Sequence, residues 1–245
     1  MSARATGCTR DLVIFLDKLI YILARHWLFA ANLAFVVYIG LPFLAPTLMA
    51  NGYERWGRLI YRLYGPPVCH QLPERSYFLY GPRYYYTLEE LHALVGEDMP
   101  ARYIGDEKIG YKVAICERDV AIYTTGLMAG LAFAFVRRKL RPLPGRQFVR
   151  FTLIFVLPLA IDGTGQLLGF WESTWLRRSI TGAIAAAGAI WLTYPYIEVG
   201  MQDVQQTIVK QLHLEREQRD SGAARDKDED DQSQCAEEHQ GKELV

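Results

Sequence analysis

Asp162 and Gln166 stand four residues apart in LAIDGTGQLLGFWESTWLRRSITG, the stretch from Leu159 to Gly182 that begins as an apolar run. That spacing places both side chains on one face of a helix. A carboxylate is expensive inside a hydrocarbon span, so it faces a bundle interior or a watery cavity and finds a partner there. Arg118 and Arg177 are the two available partners. Beyond simple pairing, Asp162, Glu172, Arg118 and Arg177 form a candidate catalytic set. The arginines would grip a phosphate or pyrophosphate head group in bidentate fashion, and a carboxylate would act as base. Gln71, Arg75 and Ser76 on one side, with Gln166, Ser173 and Thr181 on the other, are candidate ligand contacts.

A second chemistry is available at Cys69, His70 and Cys116. Together with an Asp or Glu they offer soft and borderline ligands suited to zinc or another transition metal. A plain disulfide between Cys69 and Cys116 is the competing expectation in an oxidising compartment. Cys8 and Cys235 lie in the terminal segments and have no assigned role. No Gly-rich phosphate loop, serine nucleophile elbow, HExxH or CxxC names an enzyme class.

These residues need elements to position them, and hydropathy supplies four. Residues 27–49 are uncharged, start at an interfacial Trp27 and should bend near Pro42 and Pro46; residues 119–136, 151–170 and 180–197 complete the set. Gly126 and Gly130 have the spacing that lets helices approach closely, as do the small residues Gly182, Ala185, Ala186 and Ala189. Residues 11–25 interleave apolar and charged side chains and are too short to cross, so they predict an amphipathic helix on the membrane or docked to the bundle. The 50–118 connection is far too long for a turn and predicts a small ordered cap. The expected architecture is therefore all-α: a polytopic four-helix membrane bundle over 27–198, an N-terminal amphipathic segment over 1–26, and a helix followed by a disordered acidic tail over 199–245.

Length and composition alone would have suggested something else. The 245 residues are 51% hydrophobic and carry 27 basic against 27 acidic side chains, which resembles an ordinary soluble domain. Those totals average an apolar region up to about residue 200 with a polar tail beyond 213. Net neutrality thus says nothing about partners.

Orientation follows from the loop 137–150, whose charges are Arg137, Arg138, Lys139, Arg141, Arg146 and Arg150. A short, exclusively basic loop is expected on the cytoplasmic side, which puts both termini inside and the cap outside an inner membrane. Under that orientation Asp162 lies in the outer half of its span, and Cys69, His70, Cys116, Arg118, Glu172 and Arg177 gather near the same external face. Basic loops of this kind reflect topology and anionic lipid rather than nucleic acid. Membrane lipid and other membrane subunits are the expected partners, and nucleic acid is not.

The three blocks CHQLPERSYFLYG, ICERDVAIYTTG and DGTGQLLGFWESTWLRRSITG resemble the Domain of Unknown Function 2085 family of prokaryotic integral membrane proteins. The resemblance runs from about Cys69 to Gly182 and implies a small polytopic membrane protein. Cys69, His70, Gln71, Arg75, Ser76, Cys116, Arg118, Asp162, Gly163, Gln166, Glu172, Ser173, Arg177, Thr181 and Gly182 match its motif positions. The family pattern includes members with a second cysteine shortly after the first in the middle block, where this chain has Asp119. No activity comes with the likeness. The expected function is an outward-facing polar site that binds a metal ion, a small ligand or a lipid head group. An accessory role in a larger membrane complex and an enzyme acting on a phosphorylated lipid head group are the alternatives.

Overall fold

The computed structural model describes residues 7–65 and 69–242, with side chains for 12–65 and 69–213. Seven α-helices carry these residues: α1 Gly7–Arg25, α2 Trp27–Ala50, α3 Glu54–Leu63, α4 Leu88–Val95, α5 Glu117–Val136, α6 Gly145–Leu167 and α7 Trp175–Lys242. Helices α2, α5, α6 and the Trp175–His213 part of α7 are long and apolar enough to cross a membrane. All four expected spans are present. The backbone of α7 continues through residues 214–242, where a disordered tail was expected, and their side chains lie outside the described residues.

The chain divides into two compact units, one of residues 28–198 and one of the segments before and after it. In the terminal unit, Gln205 on α7 donates to the Ala24 carbonyl of α1 at 3.0 Å, with Ala24 and Ile208 buried. Leu12, Phe15, Leu19 and Ile22 on α1 remain exposed.

In the central unit, the spans meet where the small residues permit it. A Cβ on Gly126 would come within 2.9 Å of Phe35, and one on Gly130 within 2.4 Å of Asn32, so the GxxxG pair lets α5 approach α2. Gly188 of α7 accommodates Phe155 of α6 in the same way, since an added Cβ would lie only 2.2 Å from its ring.

The expected ordered cap between α2 and α5 adds a little sheet to the mostly helical fold. It contains a three-stranded antiparallel sheet of β1 Phe78–Leu79, β2 Gly105–Asp106 and β3 Gly110–Lys112, in the order β1-β3-β2. Strands of two or three residues leave no periodic signal to read. The turn after β2 depends on Gly105, whose φ of +118° and approach to the Gly110 carbonyl leave no room for a side chain. Phe78, Tyr86, Leu91 and Ile109 fill the small core beneath this sheet. Thr87 and Glu90 close the start of α4 with a reciprocal capping box.

The cap is anchored on α2 by the carbonyls that prolines release. A helical proline has no N–H for the carbonyl four residues earlier. Pro42 thereby frees Tyr38 O, which accepts from Tyr64 Oη at 2.7 Å, and Pro46 frees Pro42 O, which accepts from the Ala114 N–H at 3.3 Å. Two residues that looked only like bend points thus provide attachment points for the cap. Tyr77 Oη lies 3.1 Å from Ser179 Oγ, tying the cap to α7 as well.

Candidate functional site

Cys116 is the residue immediately before α5, and Glu117 and Asp119 lie in its first turn. Acids are favoured there because the unpaired N–H groups give a helix start partial positive charge. The three-residue offset returns Asp119 to Cys116, whose Sγ donates to Asp119 Oδ2 at 3.2 Å. Cys69 arrives from the cap, with its N–H on the Gly65 carbonyl at 3.1 Å. The Cys69 sulfur, the Cys116 sulfur and an Asp119 carboxylate oxygen all lie within 4.8 Å of one another. Both cysteines are free thiols.

The loop carrying Cys69 is fixed by buried polar contacts. Gln71 adopts a positive φ of 54°, and its Nε2 donates to Tyr61 O and Ala114 O, each at 2.9 Å. Lys112, 0% exposed, donates its Nζ to the Gln71 carbonyl, and Tyr61 Oη donates to the Lys112 carbonyl. The hydrogen bond from Cys116 holds the Cys69 thiol down at about 7, whereas donating that bond, together with burial, pushes the Cys116 thiol up. Near neutral pH Cys69 is therefore partly thiolate, and the single Cys116 S–H is shared between it and the Asp119 oxygen. Such a group attracts a cation.

The donor set fits a divalent transition metal. Zn–S and Zn–O bonds of about 2.3 and 2.0–2.2 Å imply ligand separations of roughly 3.5–3.8 Å in a tetrahedral site. Atoms already within 4.8 Å of each other need to contract only slightly. Cys69, Cys116 and Asp119 would hold the ion, and the remaining coordination position would face the adjoining cavity.

That cavity, of about 240 Å³, is lined by the cluster together with His70, Arg75, Arg118, Gln166 and Arg178. Two of its lining arginines are held by ion pairs. Arg118 Nη2 meets Asp162 Oδ2 at 2.7 Å, with Asp162 3% exposed. Arg178 meets the fully buried Glu117 through Nε at 3.0 Å and Nη2 at 2.8 Å, while its Nη1 donates to Ser173 O. The partner of Asp162 is thus Arg118 rather than Arg177.

The sites expected from the sequence are distributed as follows. Cys69 and Cys116 come together, and His70 lines the same cavity from an exposed position outside the three-atom cluster. Arg75 and Gln166 line it too. Gln71 has its amide committed to backbone carbonyls; Ser76 Oγ bonds Leu72 O, and Thr181 Oγ1 bonds Arg177 O. Ser173 is buried, with its Oγ unpartnered among the described residues. Glu172 and Arg177 are exposed, and Arg177 sits over the Trp171 ring at 5.9 Å. Arg178, which was not among the expected site residues, pairs with a buried glutamate. Glu117, Asp119 and Lys112 were not singled out as site residues. The acid-rich start of α5 was a visible signal for the first two, while a lone lysine in a loop gave none for Lys112.

These contacts all fall in or beside the segments that carried the sequence resemblance. Residues 108–192 match the DUF2085 family of predicted membrane proteins. The matched DUF2085 segment includes Cys116, Asp119, both ion pairs and helices α5 and α6, whereas Cys69 and most of the cap precede it. An uncharacterized protein of Methanocaldococcus jannaschii is 27% identical over 170 residues, covering 66% of this chain and 87% of the relative. No solved structure matches.

Proposed function

We propose that this membrane protein is a metalloprotein in which Cys69, Cys116 and Asp119 hold one transition-metal ion at the junction of the cap and the bundle. The observation that carries this reading is the convergence of two free thiols and a carboxylate within 4.8 Å, contributed by segments 47 residues apart in the chain. Two sulfurs and one oxygen favour zinc-like borderline metals over magnesium or calcium, which prefer all-oxygen shells. Three protein ligands leave one position open, the pattern of metal sites that bind an exogenous ligand. When bound, the ion would supply Lewis acidity. The residues around it orient the site: Lys112 and Gln71 fix the Cys69 loop, and the Arg118–Asp162 and Glu117–Arg178 pairs fix the helices that carry the walls. The cap, and the site with it, faces the extracytoplasmic side of the inner membrane, as the basic 137–150 loop indicates.

Elemental analysis of the detergent-purified protein tests the proposal. One equivalent of metal is expected, lost in Cys69→Ser, Cys116→Ser and Asp119→Ala. Folded protein that binds no added zinc, or a Cys69→Ser variant that keeps its full complement, would overturn it.

A further inference from the structure

The cavity beside the cysteines has walls of opposite character, and its far wall is rich in donors. Arg75 forms no ion pair among the described residues. Arg118 lines the cavity too, with Nη2 on Asp162 and Nη1 in no hydrogen bond among the described residues. Gln166 adds an amide to the same wall. Arg178, by contrast, spends Nε, Nη1 and Nη2 on Glu117 and Ser173. Guanidinium N–H groups that line a cavity without an acceptor are the donors an anion takes up.

Arg75, Gln166 and Arg178 also line a second, larger cavity of about 530 Å³. Its walls include Tyr85, Trp171 and Ser173, and the Ser173 hydroxyl is 4% exposed at the residue level and unpartnered. The two spaces therefore meet at a shared arginine and glutamine wall. The small one suits a compact polar group; the large one suits an organic substituent. Glu74 and Glu172 lie along the larger cavity, so negative charge is disfavoured there and the anionic end belongs on the inner side. There the sulfurs of Cys69 and Cys116 and the Asp119 side chain stand beside the arginines, where the proposed metal ion would lie between them and an anion.

We infer that the inner cavity binds a phosphate monoester, with its oxygens on Arg75, Arg118 Nη1 and the open metal position and its substituent in the larger cavity. A phosphate suits this wall because it offers several acceptor oxygens in different directions, and arginine recognises it in bidentate fashion. The inference rests on the metal reading for one of its contacts. Trp171 also lines a groove with Pro158, Ile161 and Arg177. The substituent can therefore be soluble or a lipid.

The test uses the full chain in phosphatidylcholine nanodiscs, loaded with zinc and titrated with inorganic phosphate by calorimetry. A parallel set of nanodiscs carries phosphatidic acid, with retention measured after washing. Phosphate binding that weakens at least tenfold in Arg75→Ala at unchanged zinc content, and that also weakens on zinc removal, is the expected result. Binding of phosphatidic acid but not inorganic phosphate, with the same Arg75 dependence, assigns the lipid as source and supports the site. Zinc-loaded protein that binds neither, or binds both as well in Arg75→Ala, overturns the inference and leaves the metal reading intact. Failure to bind zinc overturns the metal reading, and Arg75-dependent phosphate binding by that same protein would then stand alone.

Discussion

Glu117 and Arg178 join the starts of α5 and α7 by two hydrogen bonds of 2.8 and 3.0 Å, with the carboxylate completely removed from solvent. The pair is built at a helix entrance on each side, where the cap meets the spans. Glu117 Oε1 has no hydrogen-bond partner among the described residues, so the carboxylate depends on the guanidinium for its charge balance.

Removing one member should therefore cost more than removing both. Arg178→Met is expected to destabilise the protein by about 3–5 kcal/mol, because it leaves a buried charge uncompensated. Glu117→Met in the same chain should recover most of that loss. Denaturant titration in mixed micelles measures the cycle, and equal losses for the single and double variants would show that the pair is not the controlling contact.

Lys112 makes stability rise in alkaline solution. Burial lowers its ammonium from the ordinary 10.5 to about 8. Between those values the unfolded chain binds a proton that the folded chain does not, so stability increases with pH from about 8 to 10.5 and is flat with respect to this group outside that window. The full span amounts to up to roughly 3 kcal/mol. Unfolding midpoints measured across that range should climb in the wild type and climb less in Lys112→Met.

The thiol of Cys69 should react as a thiolate near neutral pH in metal-free protein. Alkylation by iodoacetamide is expected to have its midpoint at about 7, set by the hydrogen bond from Cys116. In Cys116→Ala the midpoint should move up toward the ordinary cysteine range. Mass-spectrometric labelling of Cys69 at several pH values reads this directly, and an unmoved midpoint would remove Cys116 as the cause.

Gly130 sets the separation of α2 and α5. Gly130→Leu would force its first carbon within 2.4 Å of Asn32 and should cost about 1–3 kcal/mol by overpacking. Gly40→Leu on α2, where an added Cβ meets nothing within 4 Å, serves as the control and should leave stability unchanged or raised. Comparable losses at both positions would indicate a backbone effect rather than close packing.

A protease site inserted after Val95, at the end of α4, should be cut by enzyme added outside intact spheroplasts. Cleavage only from the cytoplasmic side would invert the orientation and place the metal and phosphate sites inside.

The sequence by itself determined the four spans, because runs of apolar residues at helical length have few other solutions, and it marked Asp162 because a carboxylate in such a run must be buried and paired. It also marked Cys69 and Cys116, through their residue types. The tertiary structure decided which arginine pairs with which acid: Arg118 and Arg177 were equally available by composition, and only the α5–α6 packing brings Arg118 to Asp162, just as the α5–α7 contact brings Arg178 to Glu117. It also decided that Asp119 rather than His70 completes the three-atom cluster, since one helical turn returns Asp119 to Cys116 while the adjacent His70 side chain points into the cavity from an exposed position. The cap sheet was hidden for a related reason. Its strands are held by long-range hydrogen bonds, and Tyr64 and Ala114 beside them by carbonyls that Pro42 and Pro46 release from α2, and neither kind of contact leaves a periodic trace along the chain.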